Sequence, residues 1–356
     1  MCEINDIRVS KDFNKITFSN FKKADAKKEF LKRMYDSKIE ASCYWCAEFV
    51  CAGHFIEIWE ILFEFLSRYV HLGNPKLPVY IQMRYEIFKQ IVGNGYIGNE
   101  LRLRNNEKIR KLFAEIVCIL CLSRKKHGLN VVKIGKEEFN ITNLTSKLKA
   151  KKISYAEVVF RKEDPKELFI AINELSYHLS PDSKNVLLGC YWVEWIIEFS
   201  SICSKEKKLC VAGRRANIPV TGKFQTDIIW IVWDLLLHYS KKKSDLCRTI
   251  IDNLLQLFCV RFGISTKKKR RYILYFAISL ITENVDFNIK VFENVKAIEN
   301  VKEKINVVYK QIKKNEKAPK TNYLFNNGIA DKNRNLEKTI KKLDKMNEVM
   351  NIIHRN

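Results

Sequence analysis

A short sequence mark occurs twice in this chain, and its repetition constrains the fold more than any other feature. The first copy runs from Ser37 to Trp45 and contains Ser-Lys followed by Cys-Tyr-Trp, and the second runs from Ser183 to Trp192. Each copy opens a long apolar stretch with helical periodicity. Two further echoes follow in the same order, namely Ile58–Leu62 with Ile229–Trp233 and Ile109–Phe113 with Lys269–Ile273. Such a repeat predicts two related structural units in tandem.

Residues that interrupt helices are scarce in this sequence. The 356 residues include 12 glycines and 6 prolines, while 47% of the chain is hydrophobic. Sandwiches and barrels need many turn residues, so this composition favours long helices. We therefore predict a mostly all-α fold of two tandem, collar-like helical bundles, with a small β or irregular linker and a basic C-terminal helix.

The periodicity of apolar residues divides the chain into segments. Spacings of three and four recur from Phe21 to Ser123 and again from Lys166 to Thr282. The segment from Ile153 to Phe160 alternates with a period nearer two, which is typical of a strand. The predicted organisation is an N-terminal arm at 1–20, a helical collar-like domain at 21–126, a linker with a possible small β element at 127–164, a second helical domain and possible repeat at 165–285, and a basic helical tail at 286–356.

The charge of the chain is strongly positive. Lysine and arginine number 64 against 40 acidic residues, which gives a formal net charge of +24 and a pI near 9.5. A field of this sign attracts polyanions, of which nucleic acid is the commonest and an anionic membrane surface the next. A solvated basic surface with no partner is the alternative interpretation.

Clusters of basic residues carry the strongest functional signal in the sequence. Most fall at predicted helix ends or in connectors, where the side chains are free to follow a phosphate backbone. Gly213-Arg214-Arg215 could also bind a phosphate. Lys267–Arg271 resembles a nuclear-import string, although such basic runs are often only solvated helix starts. The candidate nucleic-acid-binding residues are Arg102, Arg104, Arg110, Lys111, Arg124, Lys125, Lys126, Arg214, Arg215, Lys267, Lys268, Lys269, Arg270 and Arg271.

No catalytic signature accompanies these clusters. A phosphate loop needs a glycine-rich turn followed by lysine and then a hydroxyl residue, but Gly135-Lys136 precedes Glu137 and Gly222-Lys223 precedes Phe224. No Ser-His-Asp arrangement, HExxH motif or spaced acidic pair stands out. We therefore predict a protein that is not an enzyme and needs no cofactor.

The eleven cysteines lie mostly in apolar runs, where they resemble small buried hydrophobes. Cys43, Cys46, Cys51 and His54 have the residue types of a zinc site, yet all lie on or just past one predicted helix, which favours core packing and no metal. Cys203 and Cys210 flank a lysine-rich loop, where a reactive thiol is the alternative to an ordinary surface loop.

The N-terminal twenty residues contain no apolar core typical of a signal peptide. The longest apolar run, Tyr272 to Ile281, is shorter than the roughly 20 residues that span a bilayer. We expect an intracellular protein with reduced thiols, in the cytoplasm or nucleus, and no transmembrane segment.

Several marks between Phe21 and Lys126 occur in the order found in a known family. They are Ala41–Ala47, Gly53, Leu66-Ser67, Leu72–Pro75, Leu112–Glu115 and Leu122–Lys125. This part of the chain resembles the helical C-terminal collar of RarA-type (MgsA-type) AAA+ ATPases, which are relatives of clamp loaders. The resemblance implies a collar that holds subunits together beside DNA. The AAA+ module with its phosphate loop is absent and a second collar-like unit follows instead, so no catalytic residue carries over.

The lysine-, asparagine- and isoleucine-rich composition and the overall pattern also resemble uncharacterised proteins of large nucleocytoplasmic DNA viruses. That resemblance implies a viral factory or a virion as the location. We predict a non-enzymatic, nucleic-acid-binding scaffold or accessory protein in DNA replication, repair or genome organisation, which assembles with itself or with replication or virion proteins. The alternative is a virion structural protein, in a minor capsid or inner-shell position, of a large DNA virus.

Overall fold

Residues 3–292, 294–317 and 338–345 are described by a computed structural model of the protein, and no β-strand occurs among them. The prediction of an all-α fold is confirmed. The helices are α1 (Lys23–Tyr35), α2 (Ile39–Cys51), α3 (Phe55–Phe65), α4 (Leu77–Gly93), α5 (Glu107–Leu122), α6 (Ile141–Leu144), α7 (Phe169–Leu179), α8 (Val186–Lys205), α9 (Ile229–Lys243), α10 (Asp245–Cys259), α11 (Thr266–Lys269), α12 (Arg271–Thr282) and α13 (Val295–Lys313). Residues 338–345 are also helical.

Several helices begin where the sequence supplies a capping side chain. The Asn185 carboxamide oxygen accepts the Leu188 backbone N–H at 3.0 Å, and the Ser244 hydroxyl accepts that of Cys247 at 3.1 Å. Each bond satisfies an N–H that has no partner within the first helical turn. Ser244 alone separates α9 from α10, so this single cap closes a tight helical hairpin.

Packing divides the chain into two units whose segments alternate along the sequence. Unit 1 contains Met1–Phe65, Met83–Ser123 and Phe292–Asn356, and unit 2 contains Leu66–Gln82 and Arg124–Val291. The grouping differs from the predicted consecutive segments, most clearly at residues 66–82 and at the C-terminus. Residues 66–82 belong to unit 2, and the C-terminal segment belongs to unit 1.

Unit 1 is organised around α2, in which every residue from Ala41 to Cys51 is buried. Helices α1, α3, α5 and α13 pack on it. The last of these belongs to the predicted basic tail, and it buries Ile305, Tyr309 and Ile312 at helical spacing. The tail helix is therefore part of the core of unit 1. The sequence spacing also predicts one apolar stripe in the C-terminal helix, of which Leu343 is buried and Ile340 is half-buried. The other stripe residues lie outside the described residues; they are Leu336, Met346, Met350 and Ile353.

Unit 2 places α8 in a corresponding position, with α7, α9 and α12 packed on it. The repeated mark opens the central helix in both units. Tyr44 meets Trp45 edge to face at 5.6 Å between ring centroids, and Tyr191 meets Trp192 in the same way at 5.3 Å. Both tryptophans are fully buried. The mark therefore anchors the core of each unit.

The backbone that precedes each central helix repeats as well. Ser37 and Lys184 lie two residues before the first residues of α2 and α8, and they adopt left-handed φ angles of 57° and 48°. A non-glycine residue seldom takes this conformation. The equivalence of the two positions gives the sequence repeat a local structural counterpart.

Close backbone contact explains why residues 66–82 belong to unit 2. The Lys126 N–H donates to the Val70 carbonyl at 3.2 Å, so the chain after α5 runs back along this segment. A Cβ atom on Gly73 would lie 2.2 Å from the Arg124 carbonyl oxygen. Only glycine permits this approach without a backbone shift.

The linker at 127–164 takes the irregular form, and the described residues there contain no β element. A lone strand would leave its backbone groups without partners, whereas side chains of α7 satisfy them here. The Glu174 carboxylate accepts the N–H groups of Lys149 and Ala150 at 2.8 and 3.0 Å. The short helical turns in this segment are Lys136–Phe139, Ile141–Leu144, Thr145–Lys147 and Ala156–Val158.

The N-terminal arm forms no hairpin in its described part. It contains a short helical turn at Ser10–Phe13 and one isolated antiparallel bridge between Ile16 and Lys22.

Among the described residues, α8 is the one helix that is long and apolar enough to cross a membrane by length and composition. It has 20 residues, and 56% of its apolar window is buried inside the protein. The core helix of a globular unit meets the same criterion, and α8 is the central helix of unit 2. The described residues therefore contain no clear transmembrane segment.

We expect Gly73→Ala to destabilise unit 2 by roughly 1–3 kcal/mol, because the added methyl group overlaps a backbone carbonyl that cannot move independently. Chemical denaturation measured by circular dichroism tests this. Gly263→Ala is the matched control, since a Cβ there has no atom within 4 Å. Equal stabilities of the two variants would contradict the close-approach interpretation.

Stability should fall in mild acid because His71 and His178 are buried in unit 2. Burial lowers the pKa of each imidazole to about 4; near His71 the charge of Glu283 opposes this shift and that of Lys126 adds to it. The unfolded chain, with a histidine pKa of about 6.5, binds more protons than the folded chain between these values. The stabilisation is complete above pH 6.5 and is lost as the pH falls towards 4.

We therefore expect the free energy of unfolding to drop through this window by up to roughly 1.4 kcal/mol per pH unit for each histidine. Urea denaturation at several pH values measures the slope. His178→Gln removes one of the two titrating groups and should make the slope shallower. An unchanged slope in this variant would exclude His178 as a source.

Candidate nucleic-acid interface

The fourteen basic candidates divide into exposed side chains and side chains that the fold has buried. Five of them are at most 8% exposed, and each of these bonds to groups of the protein itself. A buried and hydrogen-bonded guanidinium or ammonium group cannot follow a phosphate backbone. The five residues removed from the interface in this way are Arg104, Arg110, Arg215, Lys267 and Arg270.

In unit 1, two arginines hold the loop before α5. Arg104 donates to the Asp6 carbonyl at 2.9 Å, and Arg110 donates to the Arg104 carbonyl at 2.7 Å. The Arg110 guanidinium also lies 4.0 Å from the centroid of the Tyr309 ring, a cation–π contact. Arg102 is exposed and lines a hollow of about 750 Å³. Lys111 is half-buried and pairs with Glu107.

In the Gly213-Arg214-Arg215 motif, Arg215 stabilises the fold through buried ion pairs and is not available to bind a phosphate. Arg215 is fully buried and binds Asp164 through both terminal nitrogens, and its Nε donates to Asp234 at 3.0 Å. Burial acts to raise the pKa of Asp164, but hydrogen bonds from Arg215 and from backbone N–H groups outweigh it and hold that pKa below its ordinary value. Arg214 is exposed and donates to Gln225 at 2.8 Å.

The string Lys267–Arg271 is similarly divided by its helical geometry. Arg270 donates to the carbonyls at the end of α10, among them Phe258 at 2.8 Å and Val260 at 2.6 Å. These carbonyls have no partner within their helix, so Arg270 acts as a C-terminal cap. Lys268 and Lys269 are exposed, and the half-buried Arg271 donates to Glu194 at 2.9 Å.

Lys267 lies at the bottom of a recess in unit 2, where two hydrogen bonds fix its ammonium group. Its ammonium donates to the Asp227 carboxylate at 2.7 Å and to the Ser200 hydroxyl at 2.8 Å. The bonds tie α11 to α8 and to the loop that precedes α9. Lys267 therefore has a positioning role, whereas its neighbour Lys268 extends outward and reaches Glu198 at 2.7 Å.

The connector after α5 remains a candidate surface. Arg124 and Lys126 are exposed, and Lys125 is half-buried. Lys126 pairs with Glu283 at 3.2 Å in unit 2. An exposed pair of this kind is weak enough for a phosphate to compete with the carboxylate.

The recess above Lys267 brings together lysines that are distant in sequence. We call it the lysine groove; its exposed cations are Lys205, Lys208, Lys223 and Lys268, and its volume is about 870 Å³. One wall is a single face of α8, from Ile197 to Lys205. Among the described residues, Asp227 is the one carboxylate that lines the groove, and it is paired with Lys267. Lys208 and Lys268 pair with Glu206 and Glu198, which do not line it. The groove is therefore a concave surface of net positive charge.

The candidates predicted from the sequence do not include Lys205, Lys208 or Lys223. Helical spacing could have indicated the first two, because Ser200, Ser204 and Lys205 share one face of α8. Lys208 lies in the loop that follows this face. Lys223 had no comparable signal, because only tertiary folding brings the turn at Gly222–Phe224 to this wall.

Cys203 and Cys210 flank the loop that carries Lys205 and Lys208. Burial, assisted by a hydrogen bond to the Cys203 side chain, raises the pKa of the Cys210 thiol to about 12. Cys210 is therefore protonated at neutral pH, which is the opposite of a reactive thiolate.

The possible zinc residues of α2 lie in the core of unit 1. Burial raises the pKa of the Cys43 and Cys46 thiols, and the His54 Nε2 lies 2.8 Å from the Ile16 carbonyl oxygen. Across the described part of the chain, no group of three or more histidine, cysteine or acidic side chains is arranged to hold a metal ion.

Comparison with protein-family models, curated protein sequences and solved structures found no match for this chain. The resemblance to the collar of RarA-type ATPases therefore rests on the sequence marks alone.

The two adjacent arginines should respond oppositely to substitution. We expect Arg215→Met to cost about 3–5 kcal/mol of stability, because it leaves the buried Asp164 carboxylate without its cation. The half-buried Asp234 loses its nearer cation and keeps Arg161 at 3.9 Å. Arg214→Met is the exposed control and should change stability by less than about 0.5 kcal/mol. Thermal and urea unfolding measure both. Similar losses of stability in the two variants would contradict the role of Arg215 as a buried, structurally essential ion-pair partner.

Proposed function

We propose that this protein binds nucleic acid without catalysing a reaction, and that the lysine groove is its principal contact with the phosphate backbone. The observation that carries the proposal is the convergence of Lys205, Lys208, Lys223 and Lys268 on one concave surface. Its biological role would be that of a self-assembling scaffold or accessory protein in DNA replication, repair or genome organisation.

The chemistry of the groove suits a chain of phosphates. Lysine ammonium groups on long side chains can reach successive phosphates without reading the bases. Hydroxyl groups of Ser200, Ser201 and Ser204 line the same wall and can donate hydrogen bonds to phosphate oxygens. The net charge of +24 adds a long-range attraction that speeds encounter with a polyanion.

Self-assembly follows from the collar resemblance and is tested separately, by size-exclusion chromatography with light scattering. A virion structural role, the alternative proposal, would use the same phosphate contacts to neutralise a packaged genome. Binding to nucleic acid is therefore the first property to test for both roles.

The groove lysines should determine the salt dependence of binding. We expect Lys205→Gln, Lys208→Gln and Lys223→Gln together to weaken binding to a labelled duplex of about 20 base pairs. The slope of log K against log salt should fall in magnitude by about 2 to 3, since each phosphate contact that is lost reduces the number of counterions released on binding. Fluorescence anisotropy at a series of salt concentrations measures the slope.

A triple variant with the same loss of charge provides the control. Lys22, Lys28 and Lys32 are exposed in and beside α1 of unit 1, and their change to glutamine should leave the slope nearly unchanged. Equal effects of the two triple variants would mean that net charge, and not the groove, governs binding. Wild-type binding that does not weaken as salt rises would refute phosphate contact altogether.

A further inference from the structure

The lysine groove also has apolar side chains, which phosphate contacts leave unused. Leu209 is 87% exposed and Ile264 is 73% exposed, and both line the groove. Phe224 lines it as well and is half-buried, with the Lys223 ammonium 4.8 Å from its ring centroid. Single exposed aliphatic side chains are common, but their grouping around one basic recess indicates a ligand with apolar surface.

The wall between the lysines and the apolar residues is rich in hydroxyl groups. Ser200, Ser201 and Ser204 come from α8, and Thr226 and Ser265 come from the segments that face it. Hydroxyl groups both donate and accept hydrogen bonds, so they can bind phosphates, sugars or base edges. The groove therefore combines cations, two-way hydrogen-bonding groups and apolar contacts within about 870 Å³.

We propose that the groove takes single-stranded nucleic acid in preference to duplex, with phosphates on the lysines and base faces against Leu209, Ile264 and Phe224. The inference rests on the proposed function and assigns its substrate class. In a duplex, each base face is covered by its neighbours in the stack, so the apolar residues would find no partner. An unpaired strand exposes these faces, and stacking against them tolerates any sequence.

The shape of the site favours a strand over a membrane surface. An anionic bilayer could meet the lysines and accept Leu209 and Ile264. A flat bilayer surface could not reach the half-buried Ser200, whose hydroxyl group accepts a hydrogen bond from Lys267 inside the recess. A flexible strand one nucleotide wide can enter the recess and use all three kinds of group.

The test compares one sequence in two forms. Full-length protein is titrated into a labelled single strand of about 20 nucleotides, as DNA and as RNA, and into the corresponding DNA duplex, with fluorescence anisotropy as the readout. We expect the single strand to bind at least about tenfold more tightly than the duplex, a difference equivalent to about 1.4 kcal/mol, within the range for one stacked base.

The double variant Leu209→Ser with Ile264→Ser should lower single-strand affinity about tenfold and leave duplex affinity unchanged, since it removes apolar contacts and no charge. The matched control is Ile97→Ser with Ile153→Ser, at positions that are 77% and 73% exposed outside the groove. It should change neither affinity. All four positions are solvent-exposed, and unchanged thermal unfolding confirms that the variants are folded.

The outcomes separate this inference from the function on which it rests. No salt-sensitive binding to any nucleic acid overturns both. Salt-sensitive binding with equal affinity for strand and duplex overturns only the inference, as does a groove double variant that weakens both forms equally. Groove-dependent binding to phosphatidylserine vesicles, without a preference for single strands, would instead assign the apolar residues to a membrane surface.

Discussion

The burial of one apolar helix in each unit is the constraint on which the rest of the structure depends. Every residue from Ala41 to Cys51 in α2 is buried, as is the run from Gly189 to Ile197 in α8. A helix that is apolar on all sides must be covered on all sides. Consecutive helices alone do not cover α2, and α13, from the far end of the chain, completes its core. This requirement makes unit 1 discontinuous in sequence.

The need to cover the central helices also determines which basic residues are buried and which remain exposed. Not all of the 64 lysines and arginines stay at the surface once long-range segments pack together. Arg215 neutralises the buried Asp164 carboxylate, Arg270 caps a helix, and Lys267 joins three segments at the bottom of the lysine groove. Cations next to these buried residues in sequence, such as Arg214 and Lys268, remain exposed to solvent. At the groove itself, the Lys267–Asp227 ion pair holds together the segments that carry the exposed lysines.

Much of the local structure could be predicted from the sequence, because periodicity and capping act over a few residues. Most helices fall within the two stretches of predicted helical periodicity, Phe21 to Ser123 and Lys166 to Thr282, and the repeated Cys-Tyr-Trp mark lies in the buried central helix of each unit. The candidate interface was less predictable. No sequence pattern distinguishes the adjacent Arg214 and Arg215, yet Arg214 is exposed and Arg215 is fully buried. The period-two alternation at Ile153–Phe160 predicted a strand, but the side chains of Asn173 and Glu174 bind the linker backbone instead.

The sequence by itself determined the all-α class, the duplicated helical mark and the strong positive charge, since these depend on composition and on spacing within a few helical turns. Only the tertiary structure decided which cations remain in solvent and which residues meet at the groove. Lys205, Lys223 and Lys268 lie on three separate segments that come together through the packing of α8 and the Lys267–Asp227 ion pair. Such convergence depends on long-range contacts, which no local pattern in the sequence encodes.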